Sequence, residues 1–276
     1  MKFSDSTNFF LKKNNFALVL VSSADYSDLW EIFFYYWEKN LKNINIKKYI
    51  FSSDNKIKKF KKIKVIYPIY AKRSNTWSKR QIDCLKQIKE QNLIVINEDY
   101  IVNKKVNKSL LLSTLTYFIN RKLKYLKLSR YFWEPSRKKK NLFIKPDKYE
   151  MHKMPLSIAL WNKETLLNLL DKKENFNEFD RNSFKRFHQP SCLAKYCNFN
   201  LISYVEIVHR GKFNYHAKKI INNMKSNQIL NRKFLDLRLE FIFFIKRLKY
   251  LLYFYTPAYL KKFIIKNKFI GKHLSI

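Results

Sequence analysis

The chain has 276 residues, a formal net charge of +36, and 46% hydrophobic and 17% aromatic residues. So large an apolar fraction excludes an intrinsically disordered chain, and the length suits one large domain or two small ones. The only two glycines, Gly211 and Gly271, are too few for a P-loop, a dinucleotide-binding G-x-G-x-x-G, a kinase phosphate loop or a G-x-S-x-G nucleophile elbow. Walker-type NTPases, the usual Rossmann dehydrogenases, protein kinases and most α/β-hydrolases are therefore excluded.

The positive charge has two interpretations. Lysine, asparagine, isoleucine, phenylalanine and tyrosine are abundant, and these are the residues that A/T-rich codons encode, so part of the lysine content reflects codon composition. The basic surface must still meet anions, and nucleotide phosphates, anionic lipid and RNA all fit. Charge alone does not choose among them.

The cysteines predict a cytoplasmic protein with reduced thiols. Their number is odd (Cys84, Cys192 and Cys197), and the first 13 residues do not contain the apolar core of a signal peptide. No run of about 18 apolar residues occurs in the sequence, so no transmembrane helix is predicted.

The first half of the chain alternates buried strands with amphipathic helices. Residues 16–22 (FALVLVS) form a continuous apolar run, which is typical of a strand covered on both faces. A helix capped by Asp25 or Ser27 follows it, and a second helix begins at Thr76 or Ser78. Further strands are predicted at residues 47–52, 63–67 and 92–96. This order predicts an α/β fold with a mostly parallel sheet flanked by helices.

Acidic residues follow three of the predicted strands. Asp25 comes after the first, Asp54 after the second, and the adjacent Glu98 and Asp99 after the fourth. Ligands of parallel sheets bind outside the carboxyl ends of the strands. The adjacent carboxylates suit a hard divalent cation, which takes oxygen ligands. The same two residues also fit a turn cap beside a solvated glutamate, so both interpretations stay open.

The second half of the chain is less regular. The patterns predict a helix at 107–121, an extended segment at 122–128, a strand and helix over 155–170, and a strand at 201–209. From about residue 231 the chain becomes a basic, aromatic helix that is broken at Pro257. We therefore predict one domain over residues 1–227, to which the α/β pattern belongs, and a helical tail over residues 228–276.

Two further segments are candidates for chemistry. Residues 175–183 (NFNEFDRNS) carry Glu178 and Asp180, which fit either a solvated loop or a general base facing a basic cleft. Arg210 and Lys212 flank Gly211, where a tight turn would present both cations to a phosphate or simply expose them.

Arg80 lies in the first turn of the second predicted helix. Helix amino termini attract anions, so this side chain is placed to reach a phosphate. A helix cap followed by a core tryptophan explains the same residues equally well.

In their order along the chain, these segments resemble glycosyltransferases of the GT-A type, in particular a bacterial group encoded among surface-polysaccharide and lipopolysaccharide genes. The resemblance covers about residues 14–225 and depends on the order of the segments more than on any one of them. The matching stretches are residues 22–30 (SSADYSDLW), 76–88 (TWSKRQIDCLKQI), 94–102 (IVINEDYIV), 157–170 (SIALWNKETLLNLL), 174–183 (ENFNEFDRNS) and 209–213 (HRGKF).

The resemblance implies a GT-A-like fold and transfer of a sugar from a nucleotide-sugar donor to a glycan or lipid-linked glycan acceptor. Glu98 and Asp99 take the place of the family's acidic D-x-D-like pair, which would hold Mg²⁺ or Mn²⁺ against the donor pyrophosphate. Here the two acids are adjacent rather than spaced, which leaves the metal requirement open. The donor-binding residues implied are Ser23, Asp25, Asp54, Arg80, Arg210 and Lys212.

The acidic segment corresponds to a stretch near the family's acceptor site. One carboxylate, Glu178 or Asp180, would deprotonate the acceptor hydroxyl in an inverting reaction. The choice between the two stays open, and so does a retaining course of the reaction.

The tail, with its alternation of apolar and basic residues, suits a helix in a membrane interface or one that packs on the catalytic domain. The first arrangement would place the enzyme peripherally on the inner face of the cytoplasmic membrane, against anionic lipid.

The rival functions are nucleic-acid binding and metal-dependent nuclease activity, which the charge and the aromatic residues also fit. Nucleic acid is not the expected partner, because carboxylates at strand ends repel phosphate unless a metal intervenes.

Overall fold

A computed structural model of the protein describes residues 3–53, 66–72, 75–130, 141–146, 154–188, 190–224, 232–257 and 260. Its strands, in chain order, are β1 (Phe16–Val21), β2 (Lys47–Ser52), β3 (Ile66–Tyr70), β4 (Asn92–Asn97), β5 (Tyr100–Val102), β6 (Tyr125–Lys127), β7 (Phe143–Ile144), β8 (Ala159–Asn162), β9 (Ala194–Cys197), β10 (Tyr204–Glu206), β11 (Val208–His209) and β12 (Lys212–Phe213). Its α-helices are α1 (Phe3–Lys13), α2 (Trp30–Asn40), α3 (Trp77–Leu85), α4 (Lys108–Asn120), α5 (Lys163–Leu169), α6 (Phe176–Asn182), α7 (Tyr215–Asn222) and α8 (Leu237–Tyr255).

Eight of these strands form one sheet in the order β3-β2-β1-β4-β8-β6-β9-β7. Strands β3, β2, β1, β4, β6 and β9 run in one direction, and β8 and β7 run against them. The predicted α/β class with a mostly parallel sheet flanked by helices is therefore confirmed. Because β1 and β4 are neighbouring parallel strands, their carboxyl ends lie side by side.

Helices cover both faces of the sheet, and the alternation of side chains along β1 explains how. All six residues of β1 are buried. Leu18 and Leu20 join a core cluster with residues of α2 and α4, while Ala17, Val19 and Val21 join a cluster with residues of α3, α5 and α6. A strand sends alternate side chains to opposite faces, so a continuous apolar run is what a doubly covered strand requires.

Most of the first-half elements appear as predicted, with one correction. Thr76 caps α3 by accepting the Lys79 N–H. Neither Asp25 nor Ser27 caps α2, because a 3₁₀ turn at Ala24–Leu29 runs directly into a helix that begins at Trp30. The third strand starts at Ile66, and the earlier part of its predicted range lies outside the described residues.

The second half differs more from the prediction. The single strand expected at residues 201–209 is two short strands outside the main sheet: β10 pairs antiparallel with β5, and β11 pairs with β12. The acidic segment that fitted a loop contains the helix α6. A short helix with both acids on it offers too few apolar positions for its periodicity to be recognised.

The tail helix α8 is present, and both the helix and the segment just before it contact the rest of the chain. The Phe234 ring lies 5.5 Å from that of Phe213, the Glu240 carboxylate accepts the Tyr215 N–H at 2.7 Å, and the rings of Phe243 and His209 are 4.0 Å apart. The predicted domain boundary near residue 227 lies outside the described residues. In the described part of the chain, no helix is long and apolar enough to cross a membrane.

Candidate active site

Glu98 and Asp99 form the turn between β4 and β5, so both acids lie at the carboxyl end of the central strand β4. The register pairs Val21 of β1 with Asn97 of β4, which places Ser22 next to Glu98. The Glu98 carboxylate accepts a hydrogen bond from the Ser22 side chain. The Trp30 indole donates to Ser22 Oγ at 2.7 Å. The Ser22 hydroxyl also lies 3.3 Å from the Ser23 carbonyl, to which it can donate.

Both acids stand in surroundings that disfavour their charge. Burial raises the pKa of Glu98 from 4.5 to about 8, although its backbone N–H, the Arg232 guanidinium and Ser22 act in the opposite direction. Burial, and then the charges of Glu98 and Glu206, raise the pKa of Asp99 well above its usual value. Arg232 compensates the two carboxyls only in part, and a bound cation would supply the remaining positive charge.

A third acid, Glu206, is brought close to Asp99 because its strand β10 pairs with β5. Glu206 of β10 stands opposite Tyr100 of β5, and the Ile207 N–H donates to the Asp99 carbonyl at 3.0 Å. His209 Nδ1 lies 3.8 Å from Glu206 Oε1. The small β5–β10 sheet therefore adds a negative charge close to the turn.

Arg232, just before the tail helix, places a positive charge near Glu98 and Asp99. Its guanidinium bonds the Asp28 carboxylate at two points, 2.6 Å from Nε and 2.8 Å from Nη2. It also donates to the carbonyls of Gly211, at 3.1 Å, and Asp25. One side chain thus ties together the 3₁₀ turn after β1, the β11–β12 turn and the tail.

Tyr26 contacts this cation and is close enough to the acids to be affected by their charge. The Arg232 guanidinium stands 4.3 Å from the centre of the Tyr26 ring. Burial, and next the charges of Asp99 and Glu98, raise the pKa of the Tyr26 phenol. The loop after β1 therefore meets the acidic turn, as neighbouring parallel strands require.

The predicted tight turn at Arg210 and Gly211 is present. These residues have φ angles of 50° and 77°, so both central residues of a two-residue hairpin are left-handed, which glycine adopts without strain. Arg210 is exposed and Lys212 half-buried. Arg232 holds this turn beside the loop that follows β1, while phosphate binding by the two flanking cations stays a prediction.

The two acids of α6 have different surroundings. Glu178 belongs to a capping box: its carboxylate accepts the Asn175 N–H at 2.8 Å, and its own N–H donates to the Asn175 side chain at 3.1 Å. Asp180 is half-buried. Burial is the main cause that raises the pKa of Tyr100, the residue after Asp99, and the charge of Asp180 adds a smaller contribution. Asp180 is therefore close enough to Tyr100 for its charge to be felt there, whereas the Glu178 carboxylate is engaged in the helix cap.

The remaining predicted donor residues are placed as follows. Ser23 and Asp25 lie in the loop after β1, and the Asp25 carbonyl is held by Arg232. Arg80 donates from Nη1 to the Asn75 carbonyl at 2.6 Å, which fixes the loop before α3. Asp54 lies outside the described residues.

Sequence reasoning missed five residues of this site, because their roles depend on contacts between distant segments. Only Ser22 carried a signal, as the polar residue that ends a buried strand. The other four join the site through loops whose pairing no spacing encodes. The missed residues are Ser22, Tyr26, Asp28, Glu206 and Arg232.

The residues present fit a divalent cation as partial ligands. Two carboxylates with raised pKa values and the Asn97 Oδ1 atom, which is buried and makes no hydrogen bond, stand at one strand end. Among the side chains that the structure describes, no three His, Cys, Asp or Glu groups are arranged to hold a metal between them. A cation here would complete its coordination with other oxygen atoms, such as those of a phosphate.

Comparison with known proteins gives similarity in structure only. No family model and no curated protein matches the chain. The S. aureus TarS fragment 1–349 has a TM-score of 0.49 at 8% identity over 95% of this chain and 75% of that one. The same fragment in complex with UDP has a TM-score of 0.48 at 10% identity, with the same coverage of both chains.

A further similar structure is a Bacillus anthracis protein in complex with a sucrose, assigned as a glucose-1-phosphate thymidylyltransferase. Its TM-score is 0.47 at 11% identity over 79% of this chain and 98% of that one. At such identities and TM-scores the similarity carries no information about activity. The function must therefore be argued from the side chains of the site.

Proposed function

We propose that the protein is a glycosyltransferase that moves a sugar from a nucleotide-sugar donor to a glycan or lipid-linked glycan acceptor in surface-polysaccharide biosynthesis. The observation that carries the proposal is the pair Glu98 and Asp99 at the carboxyl end of the central strand β4, where burial raises the pKa of each acid by more than the nearby Arg232 lowers it. Perturbed carboxyls at that edge of an α/β sheet are typical of a ligand site.

The donor would lie across the ends of β1 and β4. Ser23 and Asp25 are on the loop that reaches this edge, and the Arg232 contacts hold that loop in one conformation. Arg210 and Lys212, on the turn tied to the same guanidinium, supply positive charge for the donor diphosphate. Binding of a nucleotide is thus assigned to the loop, and binding of the diphosphate to the turn.

Glu98 and Asp99 would hold Mg²⁺ or Mn²⁺ through their carboxylate oxygens. When bound, such an ion stabilises the negative charge on the departing nucleoside diphosphate. The protein's part is to hold a buried Glu98 and a half-buried Asp99 next to each other, with the Ser22 side chain beside Glu98.

Asp180 is the acid best placed to act as general base. In an inverting reaction the acceptor oxygen bonds to the anomeric carbon, the bond from that carbon to the diphosphate oxygen breaks, and the hydroxyl proton passes to Asp180. Glu178 suits this role less well, because its carboxylate is engaged in the helix cap.

The test is thermal unfolding with UDP, GDP, CMP and dTDP, each with and without Mn²⁺. A ligand that binds only the folded state at about 100 times its Kd adds about 2.7 kcal/mol to the unfolding free energy. We expect an upward shift in Tm for one nucleotide, dependent on Mn²⁺ and lost in Asp99→Asn. Asp171→Asn, which changes an exposed acid, should keep the shift. Stabilisation by RNA or DNA and by none of the nucleotides would overturn the proposal in favour of nucleic-acid binding.

A further inference from the structure

The tail helix α8 has an outer face made of large apolar side chains. Six of them recur at helical spacing and are 40–89% exposed. At about 100° per residue their positions fall within an arc of roughly 80°, so they form one continuous stripe along five turns. We call this the outer stripe; its members are Leu237, Phe241, Phe244, Leu248, Leu252 and Tyr255.

The other side of the helix is partly packed against the protein, although Ile242 on that side is 43% exposed. Phe243 is 9% exposed, with its ring 4.0 Å from that of His209, and Tyr253 is 7% exposed. The Arg247 guanidinium lies 3.9 Å from the centre of the Phe243 ring. Packing on this chain thus accounts for one face of α8, and the outer stripe requires another explanation, since contiguous exposed apolar patches mark interaction sites.

Charge beside the stripe indicates what it contacts. Arg238 and Lys249 are exposed and lie about 80–100° around the helix from the centre of the stripe, as expected for cations at a lipid headgroup level. Residues 237–276 contain nine Lys or Arg and one acid, Glu240, a net charge of 9 − 1 = +8. An apolar stripe beside cations suits an anionic surface with an apolar interior.

We propose that the outer stripe lies in the interface of an anionic lipid bilayer, with α8 parallel to the membrane surface. Phe241 and Phe244 enter the boundary between headgroups and acyl chains, and the basic residues contact lipid phosphates. Pairing with a second copy through the same stripe would bring two rows of cations together. The proposal stands independently of the glycosyl-transfer chemistry.

The test is co-sedimentation of the full chain with vesicles of phosphatidylcholine containing about a third phosphatidylglycerol, and with vesicles of phosphatidylcholine alone. We expect binding to the anionic vesicles, and at least a tenfold lower partition coefficient for Phe241→Ser/Phe244→Ser. The matched control is Phe9→Ser, which removes a phenylalanine of similar exposure, 62%, from α1 and should leave binding unchanged. Both variants should unfold within a few degrees of the parent.

A charge-only contact gives a different result. A protein of net charge +36 held by electrostatics alone would leave the vesicles at about 1 M NaCl and would bind equally well with or without the two phenylalanines. That outcome, or failure to bind anionic vesicles, would overturn the proposal. So would a dimer that Phe241→Ser/Phe244→Ser converts to a monomer in light scattering, because the stripe would then be a protein interface.

Discussion

Strand β4 has a buried carboxylate near each end, and the surroundings shift the pKa values of the two in opposite directions. Glu90, two residues before the strand, accepts hydrogen bonds from Lys47 at 2.6 Å and from the Tyr49 hydroxyl at 2.7 Å. Burial raises its pKa, but these bonds and its own backbone N–H outweigh burial, and the net pKa is lowered. Glu98, one residue after the strand, has a pKa raised to about 8.

The difference separates a structural acid from a candidate functional one. At the amino end, a buried charge is neutralised by partners within the chain, so it stabilises the fold. At the carboxyl end, Glu98 and Asp99 are left with too little positive charge of their own, which is an arrangement typical of a site that awaits a cation or ligand. The edge where parallel strands end is where α/β proteins bind their ligands.

The sharpest way to break this comparison is to neutralise one acid at each end. Asp99→Asn should lower the proposed glycosyl transfer by more than about 100-fold, because loss of a metal ligand, the role proposed for Asp99, exceeds the 10–100-fold cost of losing the contacts that support a ligand. Glu90→Gln should leave transfer within a few-fold at temperatures where the variant is folded. Nucleoside diphosphate release from a panel of nucleotide-sugars measures both, and equal losses would show that the two ends do not differ in function.

The effects on stability should be reversed: the substitution at the amino end of β4 should destabilise the protein, and the one at the carboxyl end should not. Glu90→Gln replaces a charge that accepts two short hydrogen bonds, so the unfolding free energy should fall by about 2 kcal/mol. For a chain of this size that lowers Tm by about 4–8 °C. Glu98→Gln should match or exceed the parent in stability at pH 8, because it removes a buried charge. Denaturant unfolding of both variants measures the effect. If Glu98→Gln destabilised the protein as much as Glu90→Gln does, the predicted difference between the two acids would be contradicted.

The pH dependence of stability follows from the same pKa. The folded pKa of Glu98 is about 8 against 4.5 when unperturbed, so the folded state binds more protons than the unfolded state between these values. The unfolding free energy should therefore fall as pH rises from about 4.5 to 8, with a contribution from this group of up to about 1.4 kcal/mol per pH unit. Melting curves at low salt should show the decline, and Glu98→Gln should flatten it. An unchanged slope in the variant would contradict the assignment.

The smallest expected effect concerns Arg232, the cation near the carboxyl end of β4. Arg232→Lys removes the two-point contact with Asp28 and the bonds to the Gly211 and Asp25 carbonyls. We expect a loss of about 1–2 kcal/mol in the unfolding free energy, since lysine cannot reproduce a bidentate contact. Arg238→Lys, at an exposed position, is the control and should change stability by less than about 0.5 kcal/mol. Equal effects from the two variants would contradict the role of Arg232.

The sequence predicted the first half of the fold because its signals are local. The apolar runs of β1, β2 and β4 and the capping residue Thr76 each act within a few positions. The order of the first four strands then limits the topology to a parallel sheet. Strands β5, β10, β11 and β12 have two or three residues each and depend on pairing across long separations, which no periodicity reports.

The site residues also fall into two groups: those that a local sequence signal indicates and those that only long-range contacts bring to the site. Glu98 and Asp99 were recognised because acids directly follow a buried strand. Arg232 could not be, since its partner Asp28 is 204 residues away and the connection is made only when the tail returns to the sheet edge. Glu206 was missed because its segment was predicted as one strand, and the break at Ile207 is what turns it toward Asp99.

The central claim is that Glu98 and Asp99 bind a divalent cation together with a nucleoside diphosphate. Calorimetric titration of Mn²⁺ into the protein with UDP, GDP, CMP or dTDP, at pH 7 in two buffers of different ionisation enthalpy, tests it most directly. Because the pKa values of both acids are raised, binding should release protons, and Glu98→Gln should release fewer. Absence of Mn²⁺ binding with all four nucleotides, or binding that Asp99→Asn and Glu98→Gln leave unchanged, would contradict the account.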